Sequence, residues 1–164
     1  MAEQGETYAK FIEAELKAEN ERKATLNSRA LGNATTSSAF LALVFTLTVL
    51  VTGKDFKVSA SGSHWILVAL VLFAVASLLG LLASTLRAFE VIAPESLEDM
   101  VGDHWTDEEV DARNQTAYMN VQTISTLRTG NNWKATLIGW GIGFQLSAIL
   151  VLIGTLAWEL RAFA

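Results

Sequence analysis

Three long apolar runs divide this chain, and charged residues are almost confined to the stretches outside them. The last run, Ala135–Trp158, carries no charged residue over its whole length. A helix that crosses the ~30 Å hydrocarbon core of a bilayer needs about 20 residues of this kind. The runs Ala34–Thr52 and Trp65–Leu86 have the same character. The pattern predicts three transmembrane helices, at residues 34–53, 64–87 and 134–160.

The polar stretches outside these spans also have helical patterns. Residues 6–33 contain three Glu–Lys pairs at i,i+4, in the favourable order with Glu first. No proline separates this segment from the first span, so we expect one helix to continue, straight or bent, into the membrane. Pro94 and Gly102 suit the first turn and the end of a short helix. Residues 94–130 are predicted to form a second polar helical segment, with a bend at residues 130–132.

A capping box predicts where the longer helix of this polar segment begins. Thr106 would be the N-cap residue and Glu109, three positions later, would reach back to it. Trp105 and Val110 occupy the positions of a hydrophobic staple around the same cap. We therefore expect this helix to start directly after Thr106.

Small residues recur at every fourth position in two of the spans, which lets another helix approach closely. The row in the third span is Ala135, Gly139, Gly143 and Ser147, named here the glycine ridge. The row in the second span is Ala76, Gly80 and Ser84. We expect the glycine ridge to pack against the second row or against another copy of the third span.

Other polar and aromatic residues of the spans fit packing and interfacial roles. Gln145 is expected to hydrogen-bond to a neighbouring helix, an interaction typically worth about 0.6 kcal/mol. Trp65 and Trp158 lie at span ends and predict an aromatic belt at one membrane interface, with Trp133 meeting the membrane surface. None of the apolar runs Ala34–Thr52, Trp65–Leu86 and Ala135–Trp158 contains Asp, Glu, Lys or Arg, which disfavours ion or proton transport by this subunit alone.

Basic residues predict the orientation of the spans. The N-terminal and middle polar segments together hold nine Lys and Arg, whereas the first loop and the tail hold three. The nine are Lys10, Lys17, Arg22, Lys23, Arg29, Arg87, Arg113, Arg128 and Lys134, and the three are Lys54, Lys57 and Arg161. The positive-inside rule therefore places the N-terminus and the middle segment in the cytoplasm and the C-terminus outside.

Composition narrows the classes of function. The chain is 51% hydrophobic and only 18% charged, which is typical of a small, single-domain polytopic membrane protein. The absence of cysteine excludes thiol chemistry, and the net charge of -5 disfavours nucleic acid. His104 and Glu108 are a weak candidate metal pair, but acidic residues at a helix start are better explained by the helix dipole. We expect no enzymatic activity and no cofactor.

Two short stretches carry a resemblance. Residues 21–31, ERKATLNSRAL, lead into the first span, and residues 131–135, NNWKA, open the last. The chain resembles small bacterial membrane proteins in these two stretches and in the order of its helical segments. Among these proteins are the transmembrane effectors of anti-phage signalling systems, the Pycsar and SLATT-like classes. The resemblance implies an inner-membrane protein that responds to a nucleotide signal and impairs the membrane. No nucleotide-binding motif in this sequence matches that expectation.

The sequence thus predicts an all-α membrane protein with three transmembrane helices and cytoplasmic helical extensions. We expect a homo-oligomer in the lipid bilayer that acts as a non-enzymatic effector or signalling protein. The alternative is an accessory or scaffold subunit that requires another membrane protein as its partner.

Overall fold

The computed structural model of the chain describes residues 2–52, 59–85, 94–104 and 106–163, and this part is almost entirely helical. Four helices follow in order: α1 (Ala2–Thr52), α2 (Ala60–Ser84), α3 (Pro94–Gly102) and α4 (Glu109–Phe163). No strand occurs among the described residues. The all-α prediction is confirmed, and α1, α2 and α4 are long and apolar enough to cross a membrane.

The helix bounds confirm some sequence predictions and correct others. The charged N-terminal segment and the first apolar run form one continuous helix, as expected. The short helix at Pro94–Gly102 is also confirmed. At residues 130–132, where the sequence predicted a bend, α4 is helical without interruption. Gly130 and Asn131 are buried there, Asn131 bonds to Glu19 of α1, and none of the described glycines adopts a positive φ.

The chain divides into two compact units, and the boundaries fall within α1 and α4. The first unit comprises Met1–Leu26 and Leu86–Trp133, so it contains the start of α1, all of α3 and the start of α4. Gly5 lies against Arg113 and Glu19 bonds to Asn131, so the two long helices run parallel in this unit. Leu26, Ile124 and Leu127 are its buried apolar side chains.

The second unit, Asn27–Thr85 and Lys134–Ala164, is a three-helix bundle. Its apolar core cluster contains one buried residue from each helix: Val44, Phe73 and Ala148. The Phe73 ring stacks on Phe40 with a centroid distance of 5.4 Å. Helix α2 runs antiparallel to α1, since Gly80 approaches Ala30 while Phe73 stacks on Phe40.

Buried positions in the bundle repeat with the period of a coiled coil. The buried residues of α2 are separated by three, four or seven positions: Gly62, Ala69, Phe73, Ala76, Gly80 and Ala83. In α4 the same spacings separate Lys134, Ile138, Gly141, Ala148, Thr155 and Glu159. A period of 3.5 residues keeps one seam of each helix against its partners. Several members of these seams are glycine or polar residues, which hydrophobicity alone does not identify.

The faces of α2 and α4 opposite these seams are apolar and exposed. Leu67, Val71 and Leu78 of α2 are each more than half exposed, and so are Leu146 and Leu150 of α4. Soluble proteins rarely expose continuous apolar surface of this extent. These surfaces are compatible with contact to lipid.

Candidate functional site

A group of polar and charged side chains in the first unit surrounds the buried Glu19. We name it the Glu19 cluster, and its members are Glu15, Glu19 and Arg22 of α1 and Arg128, Asn131 and Asn132 of α4. The Glu19 carboxylate accepts from Arg128 Nε at 3.0 Å and from Asn131 Nδ2 at 2.9 Å. Asn131 Nδ2 also lies 3.0 Å from the Glu19 carbonyl oxygen. One buried carboxylate therefore joins the two long helices.

Arginine side chains complete the Glu19 cluster. The second carboxylate, Glu15, pairs with Arg128, and Arg22 lies 3.6 Å from Glu19. Arg22 also donates to Asn132 Oδ1 at 2.9 Å. The burial of Glu19 acts to raise its pKa, but hydrogen bonds from Asn131 and Arg128 and the guanidinium charges outweigh this and lower the pKa. Glu19 thus stays ionised at neutral pH, where the pairing is strongest.

The cluster uses residues from both stretches that carry the sequence resemblance. Arg22 belongs to the ERKATLNSRAL stretch, and Asn131 and Asn132 belong to the NNWKA stretch. Arg22 and Asn132, which bond to each other, are 110 positions apart along the chain. In the folded chain they hold parallel helices in register.

In the second unit, Asn33 connects all three helices of the bundle. Its Nδ2 donates to the carbonyl oxygen of Ala76 in α2 at 3.3 Å, and the same atom would lie 2.5 Å from a Cβ at position 141. Only a glycine in α4 leaves room for this amide. Asn33 Oδ1 and the hydroxyl of Ser37, one turn later, are buried without a partner among the described residues. Sequence reasoning missed this role of Asn33, which it had treated only as the last residue of the polar segment before the first span.

Lys134 is a second buried polar residue that sequence reasoning had placed at the membrane surface. Its side chain is fully buried, and Nζ donates to Asn27 Oδ1 of α1 at 2.6 Å. A buried ammonium group must be paired or hydrogen-bonded to be tolerated. Lys134, one of the nine basic residues used to predict the orientation, therefore also contributes to helix packing within the second unit.

Near the other end of the bundle, Glu159 of α4 contacts the start of α2. Ser59 is the N-cap residue of α2, and its hydroxyl donates to Glu159 Oε1 while accepting from the Gly62 amide at 2.9 Å. The Ser59 amide lies 3.4 Å from Glu159 Oε2. Glu159 is only 6% exposed, and none of the ion pairs among the described residues includes it.

Trp65 and Trp158 border the same cleft, of about 410 Å³, beside this contact. We name it the tryptophan cleft, and its lining comprises Ser61, Gly62, Trp65, Val151, Gly154, Thr155 and Trp158. The two predicted belt residues therefore lie near one end of the bundle, and both side chains are more than half exposed. Trp133 of the first unit is exposed as well.

The glycine ridge is exposed and does not contact the small-residue row of α2. A Cβ added at Gly139 or at Gly143 meets nothing within 4 Å, and the Ser147 hydroxyl bonds back to its own helix. Ala76 and Gly80 are buried instead, with Gly80 against α1, while Ala135 and Ser84 are half-buried. Packing of the ridge against the α2 row is thus wrong, and packing against another copy stays a prediction.

Gln145 lies in the buried seam of α4 between Gly141 and Ala148 and is half-buried. Its side chain makes no hydrogen bond to another helix within the described part of the chain. The interhelical hydrogen bond predicted for this amide is therefore absent here, whereas Asn33 makes one that was not predicted.

The predicted helix cap at Thr106 is wrong by two residues. The α4 helix begins at Glu109, and the first carbonyl to accept helical hydrogen bonds is that of Glu108, from Asp111 and Ala112. Before the helix, the Asp107 amide donates to the His104 carbonyl. Glu109 is therefore the first helical residue, and the staple residue Trp105 lies outside the described residues.

His104 pairs with Asp107 rather than with Glu108. Its Nδ1 lies 2.9 Å from the Asp107 carboxylate, and both side chains are exposed. The described residues contain no group of three His, Cys, Asp or Glu side chains arranged to hold a metal ion. A cleft of about 430 Å³ lies beside this pair, with Asp99 on one side and Met100 and Met119 among its lining.

Comparison of the chain with family models, with curated proteins and with solved structures finds no match. The helices themselves define the class of protein. Three of them are long and apolar enough to span a membrane, which is compatible with a multi-pass membrane protein.

Proposed function

We propose that this chain is a non-enzymatic integral membrane effector or signalling protein, in which the polar helices gate or assemble the membrane part. The observation that carries the proposal is the continuity of α1 and α4. Each is one unbroken helix that contributes to the Glu19 cluster in the first unit and to the apolar bundle in the second. A change in the Glu19 cluster therefore acts on the same helices that would cross the bilayer.

The proposal includes assembly of several copies. The exposed backbone at Gly139 and Gly143 offers a surface on which a second α4 helix could approach closely. Within the bundle, by contrast, Gly80 and Gly141 are already occupied by α1. The glycine ridge is thus the part of α4 that a homo-oligomer would use.

Localisation follows from the charge pattern and the resemblance given above. We place the protein in the bacterial cytoplasmic membrane, with the N-terminus and the polar helices in the cytoplasm and the C-terminus outside. In that orientation the Glu19 cluster is accessible to a cytoplasmic stimulus. The cleft beside His104 carries the carboxylates of Asp99 and Asp107, which repel phosphate, so a nucleotide signal would bind elsewhere.

Expression of the chain in bacteria tests this proposal with one variant and one control. Gly143→Leu adds a branched side chain to the open ridge, whereas Ala74→Leu adds similar volume to an exposed face of α2. We expect the wild type to form a discrete oligomer on native gels and to depolarise the membrane, measured with a potential-sensitive dye. Gly143→Leu should insert normally and lose both properties, while Ala74→Leu should keep them.

Retention of both properties by Gly143→Leu would contradict the proposed assembly. A second candidate function then takes its place, an accessory or scaffold subunit of a larger membrane complex. The observation that favours it is an apolar groove in the first unit, lined by Phe11, Ile12, Val121 and Ile124 beside the Glu15–Arg128 pair. A chain that is stable only when expressed with another membrane protein would support that function.

A further inference from the structure

Burial of the Glu159 carboxylate carries an energetic cost that its contact with the start of α2 offsets only in part. A buried carboxylate is costly unless it is paired with a cation or well hydrogen-bonded. Glu159 is 6% exposed, and its hydrogen-bond partners among the described residues are the hydroxyl and the amide of Ser59. The N-terminus of α2 supplies a partial positive charge, equivalent to roughly half an elementary charge. Within residues 59–85 and 106–163 no cationic side chain pairs with this carboxylate, so the contact with α2 leaves a place for a cation.

The tryptophan cleft lies next to this carboxylate. Thr155 lines the cleft one helical turn before Glu159, and Trp158 immediately precedes it in α4. On the α2 side, Gly62 lines the cleft and donates its amide to Ser59, the partner of Glu159. Two half-exposed indole rings from two helices therefore border an open volume beside a buried negative charge.

This combination is suited to an ammonium group. The faces of aromatic rings attract cations, tryptophan most strongly, and cages of aromatic residues recognise substituted ammonium ions. The cleft also has room for such a group, because a Cβ at Gly154 would meet nothing within 4 Å. An anionic headgroup, in contrast, would be repelled by Glu159.

We propose that the tryptophan cleft binds the ammonium headgroup of a membrane lipid, of the phosphatidylethanolamine type. The inference relies on the membrane insertion in the proposed function but not on the effector activity. Tryptophan residues are enriched at the level of lipid headgroups, so a cleft between two of them at the end of a spanning helix meets headgroups directly. The ammonium lies between the indole rings, and its charge balances that of Glu159.

Lipid retention by the full-length chain tests the proposal. The protein is released from nanodiscs that contain equal amounts of phosphatidylethanolamine and phosphatidylglycerol, and native mass spectrometry counts the lipids that stay bound. We expect the wild type to retain phosphatidylethanolamine preferentially. Trp65→Leu and Trp158→Leu should each lower this retention by about 2- to 30-fold, the range that one cation–π contact supplies. Trp140→Leu is the matched control, since Trp140 is an exposed tryptophan of α4 outside the cleft.

Glu159→Gln separates the charge from the helix cap. The glutamine amide oxygen still accepts from Ser59, so the start of α2 keeps its partner while the negative charge is lost. We expect this variant to retain both lipids equally. If it and both cleft tryptophan variants retain phosphatidylethanolamine like the wild type, Glu159 serves only as a cap and the proposal is wrong.

Soluble ethanolamine distinguishes a lipid from a free ammonium compound. If millimolar ethanolamine displaced the bound lipid as effectively as phosphatidylethanolamine itself, the ligand would not be a lipid. The glycerol and acyl parts would then contribute nothing to binding. We expect no displacement. Since lipid counting involves neither growth nor membrane potential, its failure is distinguishable from failure of the effector proposal. Gly154→Leu, which fills the cleft and leaves Glu159 unchanged, should abolish retention even if Glu159→Gln does not fold.

Discussion

Two glycines of the spans have opposite surroundings, and alanine at each should reveal which one is required. A Cβ at Gly80 would lie 2.8 Å from the Ala30 carbonyl oxygen and 2.9 Å from the Ala34 amide nitrogen. Ordinary contact begins near 3.4 Å, so the difference of 0.6 Å must come from movement of whole helices. The obstructing atoms belong to the backbone of α1, which has no alternative rotamer to adopt. A Cβ at Gly143, in contrast, enters open space.

The matched pair isolates the packing energy. Alanine favours a helix interior over glycine by about 1 kcal/mol, and this gain applies to both variants. Added volume in a tightly packed site costs about 1–3 kcal/mol. Gly80→Ala should therefore be about 1–3 kcal/mol less stable than Gly143→Ala.

Unfolding in detergent micelles provides the assay. The free energy of unfolding is measured by circular dichroism as sodium dodecyl sulfate is titrated into the purified chain. Equal stabilities for the two variants would refute the close approach of α2 to α1. The same result would also contradict packing of the second unit through Gly80 alongside an open glycine ridge.

Four further predictions concern topology, buried polar groups and the helix start. An alkaline phosphatase fused to the C-terminus should be active in bacteria and a fluorescent fusion dark; the reverse pattern would overturn the orientation. Asn27→Leu should destabilise the chain by about 1.5–3 kcal/mol in the micelle assay, because it removes a hydrogen bond to the buried Lys134 ammonium. Folding lowers the pKa of Glu19 below 4.5, so its pairing contributes full stability above pH 4.5 and loses this contribution as the pH falls through the folded pKa. Glu19→Gln should therefore make the free energy of unfolding less dependent on pH in this acidic range, and an unchanged dependence would argue against the cluster. Thr106→Ala should leave amide exchange in the first turn of α4 unchanged, because the helix begins at Glu109.

The sequence by itself determined the number and the approximate positions of the long apolar helical segments. Runs of apolar residues long enough to span a bilayer are a strong signal, since every backbone polar group in such a run must be satisfied within a helix. The absence of proline near residue 33 correctly predicted that α1 is continuous. Pro94 and Gly102 marked the ends of α3, because each residue has a strong positional preference in helices.

The tertiary structure alone decided which face of each helix is buried. Rows of small residues at fourfold spacing suggested Gly139 and Gly143, but the buried seam of α4 passes through Ile138, Gly141 and Ala148. Successive residues of a helix lie about 100° apart, so Gly139 and Gly141 point in nearly opposite directions. Both are glycines in an apolar run, and local sequence does not distinguish them. The distinction comes from Asn33, whose amide occupies the space beside Gly141.

Buried polar residues were the other feature that only folding revealed. Glu19, Asn131 and Lys134 read as surface residues in the sequence, because polar side chains are usually solvated. Glu19 and Lys134 are buried with partners on the parallel helix: Arg128 and Asn131 for Glu19, and Asn27 for Lys134. These partners lie more than 100 positions away along the chain, and their pairing depends on the register of α1 against α4. Hydrophobic periodicity predicts where a helix is apolar, whereas a seam held by hydrogen bonds is determined only when the helices come together.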